Sequence, residues 1–233
     1  PRGAARCAPT HMHILLTGAT GFVGGHIADR LVARGDRVTA LVRSPARAQR
    51  LADAGVVLIQ GDLDDHAAMR LAARGQDAVC HVAALTGAVD EAEFLHANRD
   101  GTAHLLAAVT AAAPAARFLY VSAMAAGGPA ERGLPRTAEG PDRPVTMYGR
   151  SKLAGEAVTR ASPLSWVILR PPMVYGPRDR DNLLTLFKAA RIGIVPVFGD
   201  GTMELSAVHV ADLADGIVRA LDAPGAPGRA WYV

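Results

Sequence analysis

A tyrosine and a lysine four residues apart are the side chains in this sequence whose types and spacing best fit chemistry. Tyr148 and Lys152 lie in the stretch VTMYGRSKLAGEAV (145–158), and on a helix that spacing puts both on one face. A phenol with a pKa of about 10 is a poor base at neutral pH, but an ammonium about 4 Å away could lower that pKa substantially. We therefore predict Tyr148 as an acid or base that Lys152 activates. The other interpretation of the pair is a solvated helix face.

A glycine-rich loop near the start of the sequence is the second chemical signal. The stretch TGATGFVG (17–24) follows an apolar run and opens an amphipathic helical pattern. Backbone N–H groups at such a loop and at a helix N-terminus favour a pyrophosphate, and glycines permit its close approach. The alternative is a tight turn with incidental glycines. The residues predicted to hold a dinucleotide here are Gly18, Thr20, Gly21, Phe22, Val23 and Gly24.

Two further polar positions follow predicted strands. Arg43 stands where an acid would bind the ribose hydroxyls of NAD, and with Arg47 it could pair with the extra phosphate of NADP. Either arginine could also simply be solvated. Asp62 could accept the adenine amino group, or it could cap a helix that begins near Asp64.

The candidate residues can form one site only if the fold brings the ends of several strands together. Six apolar, β-branched runs predict strands at about 13–17, 37–42, 56–59, 78–82, 117–122 and 165–169. Helical patterns lie at about 22–34, 45–53, 64–73, 91–112 and 148–160, with two more near 181–191 and 210–221. The alternation predicts an α/β fold, a doubly wound Rossmann-like parallel sheet with helices on both faces.

The chain is expected to have three parts. Residues 1–12 show no periodicity and resemble a tag or leader, so they are left out of the fold prediction. Residues 13–170 form the Rossmann domain. Residues 171–233, rich in proline and glycine, are predicted to form a small substrate lobe interleaved with the end of the sheet.

Composition restricts the function classes. The chain has 233 residues, of which 50% are hydrophobic and 20% charged, so it can bury a full core. The net charge of +3 comes from scattered arginines without interleaved aromatic residues, so we expect no nucleic-acid partner. Apolar runs stop far short of a membrane span of roughly 20 residues, and we expect a cytoplasmic protein. Two cysteines exclude a disulfide framework, and Cys80 is predicted to be a buried thiol.

Taken together, the motifs resemble the extended short-chain dehydrogenase/reductase superfamily, also called the NAD-dependent epimerase/dehydratase family. The similarity runs from about residue 13 to the end, and Arg43 makes the chain most similar to the branch of dihydroflavonol reductases and 3β-hydroxysteroid dehydrogenase-like proteins. The matching segments are TGATGFVG, Gly61-Asp62-Leu63, HVAA (81–84), Asn98 with Gly101-Thr102, LYVSA (119–123), YGRSKLAGE (148–156), LRPPMVYGP (169–177) and SAVHVADLADGI (206–217).

The resemblance implies a role for each matching residue. Arg43 would bind the 2′-phosphate of NADP(H), with NAD(H) as the other cofactor, and Asp62 with Leu63 would contact the adenine. Ala83, Ala84 and Pro171 would line the cofactor cleft. Tyr148 would be the proton donor or acceptor, and Lys152 would also bind the nicotinamide ribose. Further implications are a small-molecule substrate, no metal, and a homodimer formed by the helices at 91–112 and 148–160.

Two departures from the family pattern bear on activity. Family members carry two hydroxyl residues after the fifth strand, the second of which polarises the substrate carbonyl, and here the pair is Ser122-Ala123. Ser122 is the remaining candidate for that catalytic position, although alternation along a strand would turn it away from the substrate. The substrate lobe is also shorter than expected, and we expect it to be minimal or truncated.

Three hypotheses follow from these residues. The first is an NADP(H)-dependent oxidoreductase acting on the carbonyl/alcohol pair of a small molecule. The second is a nucleotide-sugar epimerase or dehydratase. The third is a non-catalytic NADP(H) sensor, supported by Ala123. His209 and Asp212 are interpreted as helix capping and packing rather than as a metal or catalytic site.

Overall fold

Seven parallel strands form one sheet that carries the site. The computed structural model describes residues 11–131, 133–137, 140–180, 183–194, 197 and 200–233. The sheet has the order β3-β2-β1-β4-β5-β6-β9, as a doubly wound fold requires. Its strands are β1 (His13–Thr17), β2 (Arg37–Val42), β3 (Val57–Gln60), β4 (Ala78–His81), β5 (Arg117–Val121), β6 (Ser165–Arg170) and β9 (Arg229–Tyr232). All six predicted strands are confirmed, and β9 is an addition.

The sheet is buried on both faces, which is why its strands are continuously apolar. In β1, Ile14 and Leu16 point into one core cluster, while Leu15 points into the cluster on the opposite face. All three side chains are inaccessible to solvent. Cys80 in β4 is a free, buried thiol as predicted, and burial raises its pKa to about 12.

Nine α-helices in the described part of the chain cover the sheet or its ends. They are α1 (Phe22–Arg34), α2 (Gln49–Asp53), α3 (His66–Ala73), α4 (Glu91–Leu95), α5 (Gly101–Ala112), α6 (Met124–Gly127), α7 (Met147–Arg160), α8 (Leu183–Arg191) and α9 (Val210–Asp222). The prediction of one helix over 91–112 needs a correction, because a π-helical turn at His96–Asp100 separates α4 from α5. A 3₁₀ turn at Pro45–Ala48 likewise precedes α2. Within the described ranges, no helix is long and apolar enough to cross a membrane.

The chain beyond residue 170 forms a separate small sheet and also adds a helix and a strand to the main fold. β7 (Met173–Tyr175) and β8 (Ala207–His209) pair in a separate two-stranded parallel sheet. After β8, α9 returns to the main core, where Leu213 and Ile217 join the cluster that contains Ile27 of α1. β9 then pairs with β6 at the edge of the main sheet. Residues 1–10 of the predicted leader, and 181–182 at the start of the predicted helix 181–191, lie outside the described residues.

The strand order reverses between β1 and β4, and the site lies at this point. Chain connections on either side of β1 and β4 leave in opposite directions, which opens a crevice beyond the carboxyl ends of these strands. Thr17 and His81 are the last residues of β1 and β4, and they are paired in register. Their side chains are joined by a 2.6 Å hydrogen bond between Thr17 Oγ1 and His81 Nδ1.

Candidate active site

The glycine-rich loop forms a cradle that no side chain could share. Gly18 has a φ of +74°, and a Cβ there would lie 2.7 Å from the backbone nitrogen of Ala83. A Cβ at Gly24 would collide with the carbonyl oxygen of Gly18. The loop closes by a 2.9 Å hydrogen bond from the Gly21 N–H to the Gly18 carbonyl. These contacts explain the glycine spacing and leave backbone rather than side chains facing the cleft.

The first turn of α1 is suited to an anion. Helix α1 begins at Phe22, and within the described structure no side chain caps Gly21 or the N–H groups that follow it. The first turn contains no acidic residue. Unpaired N–H groups and the positive end of the helix dipole therefore face the cleft, so these residues fit the pyrophosphate of a dinucleotide.

Every predicted site residue borders a single cleft of about 2100 Å³. The cleft is larger than a typical single-ligand pocket and has room for a dinucleotide and a second molecule. The predicted residues that line it are Gly18, Thr20, Gly21, Phe22, Val23, Gly24, Arg43, Asp62, Leu63, Ala83, Ala84, Ser122, Tyr148, Lys152 and Pro171. The topology thus brings together residues separated by more than 150 positions in sequence.

Arginines surround the end of the cleft near β2. Arg43 and Arg47 are exposed at its wall, and their binding of a phosphate remains a prediction. Sequence reasoning missed Arg50 and Arg178, which also line the cleft. Both pair with Asp29 of α1, at 2.6 Å from Arg50 Nη1 and 2.7 Å from Arg178 Nη2. These ion pairs depend on helix packing and have no local sequence signal.

Asp62 does not cap α3, so that interpretation is wrong. Its carboxylate accepts the backbone N–H groups of Asp64 and Asp65 at 3.0 and 3.1 Å, which stabilises the turn after β3. Asp65 is the N-cap, accepting from Ala68 N at 2.9 Å, and α3 begins one residue later. Contact of Asp62 with adenine remains a prediction. Leu63 packs closely on Gly101, where a Cβ would come within 2.9 Å of its side chain.

Lys152 is buried and forms part of the cleft wall. Helix α7 starts at Met147 after the N-cap Thr146, whose hydroxyl accepts from Gly149 N at 2.9 Å. One turn further on, Lys152 Nζ donates to the carbonyl of Val121 at 2.8 Å and lies 4.2 Å from the ring centroid of Tyr120. Burial lowers the pKa of Lys152 to about 7, and the charge of Glu156 acts in the opposite direction.

Tyr148 has a higher pKa than the sequence predicted. Its ring borders the cleft and packs on Phe94, with ring centroids 6.1 Å apart. Desolvation of the hydroxyl raises the pKa of Tyr148 to about 12. The prediction that Lys152 lowers this pKa is therefore wrong for this structure, because the ammonium is bound to the Val121 carbonyl instead. Tyr148 holds its proton firmly.

Ser122 and Ala123 both border the cleft, but the Ser122 hydroxyl is already hydrogen-bonded to another side chain. Ser122 Oγ donates to Glu156 Oε1 at 2.6 Å, and the residue is buried. Ala123 has an extended backbone, and α6 begins with the next residue. No hydroxyl is supplied at position 123, where the family pattern expects one.

A buried polar network supports the loop after β4. Asn98, in the π-helical turn, accepts from Leu85 N at 2.8 Å and donates to Leu85 O and Ser151 Oγ, each at 2.9 Å. Ser151 in turn donates to the carbonyl of Tyr148 at 2.8 Å. The sequence motif containing Asn98 gives no signal for this role, because Leu85 and Ser151 lie 13 and 53 positions away in the chain.

His81 completes the buried network between β1 and α5. Its Nε2 contacts Thr102 Oγ1 at 3.0 Å, opposite the bond to Thr17. Burial, helped by the charge of Lys152, lowers the pKa of His81 to about 3, so the ring is neutral. His209 lies elsewhere and caps α9, accepting from Ala211 N at 3.3 Å, which confirms the capping interpretation.

Sequence comparison agrees with this geometry. The profile of the NAD dependent epimerase/dehydratase family matches residues 14–233. The chain is 35% identical to a ceramide reductase from Caulobacter vibrioides over 205 residues, which cover 88% of this chain and 59% of that protein. It is 31% identical to a UDP-glucose 4-epimerase from Vibrio cholerae over 232 residues, covering 94% of this chain and 70% of the epimerase.

Structural comparison finds the same fold. A dTDP-glucose 4,6-dehydratase from Streptomyces venezuelae, solved with NAD bound, superposes with a TM-score of 0.84 at 28% identity. The match covers 95% of this chain and 75% of the dehydratase. The chain thus spans between about three fifths and three quarters of the length of these relatives.

Proposed function

The chain belongs to the NAD dependent epimerase/dehydratase family, and from this premise we propose that it is an NADP(H)-dependent oxidoreductase acting on the carbonyl/alcohol pair of a small organic molecule. The observation that carries the proposal is the shared cleft. Tyr148 and Lys152 of α7 border the same cleft as the glycine cradle of α1. A proton donor and a dinucleotide would therefore face one substrate.

Each group in the cleft has a distinct task in this proposal. The cradle and the N-terminus of α1 hold the pyrophosphate, and Arg43 with Arg47 pairs with the 2′-phosphate of NADP(H). When bound, the nicotinamide supplies or accepts the hydride. Tyr148 gives its proton to the carbonyl oxygen in the reductive direction. Because burial raises its pKa to about 12, the phenol carries this proton at neutral pH.

The names of two relatives support a reductase. The chain resembles the ceramide reductase and, at 32% identity over 227 residues, a quinoline-oxide ketoreductase from Stigmatella aurantiaca. The exposed arginines at the β2 end of the cleft support NADP(H) over NAD(H). Among the residues that the structure describes, no carboxylate pairs with Arg43 or Arg47, so both guanidinium groups are available to a phosphate.

A nucleotide-sugar epimerase or dehydratase is the second candidate. It is supported by the similarity to the UDP-glucose 4-epimerase and to the dTDP-glucose 4,6-dehydratase. Such a reaction returns the hydride to the substrate, so it consumes no external NADPH. Net oxidation of NADPH therefore separates the two candidates.

The test has two stages. Calorimetric titration with NADPH and, separately, NADH is expected to give tighter binding of NADPH, and preference for NADH would overturn the role of Arg43. Absorbance of NADPH is then followed with a panel of aldehydes and ketones, using Tyr148→Phe as the matched control. A parallel assay contains nucleotide sugars, and a changed sugar formed there without net NADPH loss would favour the epimerase or dehydratase. Binding without any turnover would favour a sensor.

A further inference from the structure

Helix α7 carries a third ionisable residue in line with the catalytic pair. Tyr148, Lys152 and Glu156 are spaced four residues apart, so they form one stripe along the helix. Lys152 and Glu156 are 1% and 0% exposed. Two opposite charges buried one turn apart in a helix that borders the active-site cleft need specific partners, because an unpaired buried charge is costly.

Residues at the end of β5 bind both Lys152 and Glu156. The carbonyl of Val121 accepts from Lys152 Nζ at 2.8 Å. The next residue, Ser122, donates its hydroxyl to Glu156 Oε1 at 2.6 Å. Two consecutive residues of one strand end therefore set the position of the ammonium and of the carboxylate relative to each other.

Arg170 of β6 fixes the carboxylate of Glu156 from the other side. Its Nε donates to Oε1 at 2.7 Å and its Nη2 to Oε2 at 2.6 Å, a bidentate pair. The same guanidinium binds both carboxylate oxygens of Asp142, each at 2.7 Å, and the Tyr232 hydroxyl at 3.0 Å. Arg160 reaches Oε2 at 3.1 Å from the helix surface. These donors hold both oxygens of the Glu156 carboxylate in place.

We propose that Glu156 is a positioning residue that keeps the buried ammonium of Lys152 charged and in place, and that Ser122 and Arg170 fix the carboxylate for this task. The proposal rests on the proposed function in that Lys152 matters as part of the catalytic pair. The groups facing Lys152 agree with this role. The Tyr120 ring and the Val121 carbonyl attract the ammonium, and neutral His81 does not repel it.

Desolvation works against the charge on Lys152, and Glu156 opposes that effect. Burial alone lowers the pKa of Lys152, and the Glu156 carboxylate raises it toward the ordinary range. In this proposal Ser122 acts through Glu156 and Lys152, since its hydroxyl donates to Glu156 Oε1 at 2.6 Å.

The sequence allows a direct measurement. Its 233 residues contain two lysines, Lys152 and Lys188, and Lys188 is exposed on α8. Protein labelled with ¹³C at lysine Cε gives two resonances, so the ionisation of Lys152 can be followed by NMR with Lys188 as the internal reference. The readout requires neither substrate nor cofactor.

Glu156→Gln is the decisive variant. Removal of one charge a helical turn away is expected to lower the titration midpoint of Lys152 by about one to two pH units. Glu156→Asp, which keeps the charge, should leave the midpoint close to that of wild type. Thr159→Val changes a buried neutral residue of the same helix and should leave it unchanged. An unchanged midpoint in Glu156→Gln would overturn the proposal.

Folding of each variant is checked by circular dichroism. If Glu156→Gln does not fold, Arg170→Gln is titrated instead. It removes the cation that offsets the Glu156 carboxylate, so the midpoint of Lys152 should rise, and an unchanged midpoint would overturn the proposal. The two proposals fail separately. If the Lys152 midpoint shifts but the protein never oxidises NADPH, the reductase proposal is overturned and the positioning role of Glu156 stands. If the enzyme is active but the midpoint is unchanged, the positioning role is overturned and the reductase proposal stands.

Discussion

Lys152 donates its hydrogen bond to the carbonyl of Val121, 2.8 Å away, and not to its helix neighbour Tyr148. Tyr148 and Lys152 therefore share a helix face and a cleft, but the ammonium donates to the strand rather than to the phenol. The tyrosine pKa is set by burial, and the lysine is held by a strand that lies 31 positions earlier in the chain.

Tyr148 is predicted to ionise only in strong alkali. Because desolvation raises its pKa to about 12, the phenol should stay protonated through the neutral and mildly alkaline range. The measurement is the ultraviolet phenolate absorbance after a rapid pH jump, compared between wild type and Tyr148→Phe. If wild type shows a phenolate signal below about pH 9 and Tyr148→Phe does not, another group must lower the pKa of Tyr148.

Arg43→Ala is predicted to weaken NADPH binding by about 10- to 100-fold while leaving NADH binding unchanged, since a hydrogen bond to a charged group contributes about 1.5–3 kcal/mol. Arg37→Ala is the matched control, because Arg37 is exposed at the opposite end of the same strand and does not border the cleft. Calorimetric titration measures both. Equal losses for the two cofactors would contradict the assignment of Arg43.

Gly24→Ala is predicted to destabilise the protein by at least about 1–3 kcal/mol and to abolish cofactor binding, because the new methyl group would collide with the Gly18 carbonyl. Gly216→Ala provides the contrast. It lies inside α9 with no atom within 4 Å of an added Cβ, and it should stabilise the helix by up to about 1 kcal/mol. Urea unfolding compares the two. Equal effects would mean that the cradle is not tightly packed.

Ala123→Ser is predicted to raise turnover by about 10²- to 10³-fold, the usual contribution of one donor to a developing oxyanion. The site can take the hydroxyl, because residue 123 has an extended backbone and borders the cleft. Steady-state rates with a reducible ketone are the measurement, and Ser122→Ala serves as the comparison. Unchanged turnover would show that the position does not limit the reaction.

Much of the architecture was predictable because its signals are local. Apolar runs predicted six of the seven strands of the main sheet, and the glycine spacing predicted the cradle at Gly18 and Gly24. The β9 segment escaped notice because four residues with an arginine and two exposed positions do not stand out among turn residues.

The hydrogen-bond partners within the candidate site could not be predicted, because they come from residues distant in the sequence. The direction of the Lys152 side chain depends on Val121, and the use of the Ser122 hydroxyl depends on Glu156, which lies 34 positions further along. Neither partner could be chosen before the packing of α7 on β5 was known. The spacing of Glu156 from Lys152 was a usable signal, since it continues the helix stripe.

The π-helical turn at His96–Asp100 acts as a rotational phase shift within one long helical segment. Each residue of an α-helix advances the side-chain direction by about 100°, so one extra residue in a turn re-aims everything beyond it. With that offset, Phe94 packs against Tyr148 while Leu105 and Val109 face the sheet core. Deleting one residue from the turn would leave a continuous helix, in which Phe94 could not pack on Tyr148 while Leu105 and Val109 face the sheet core.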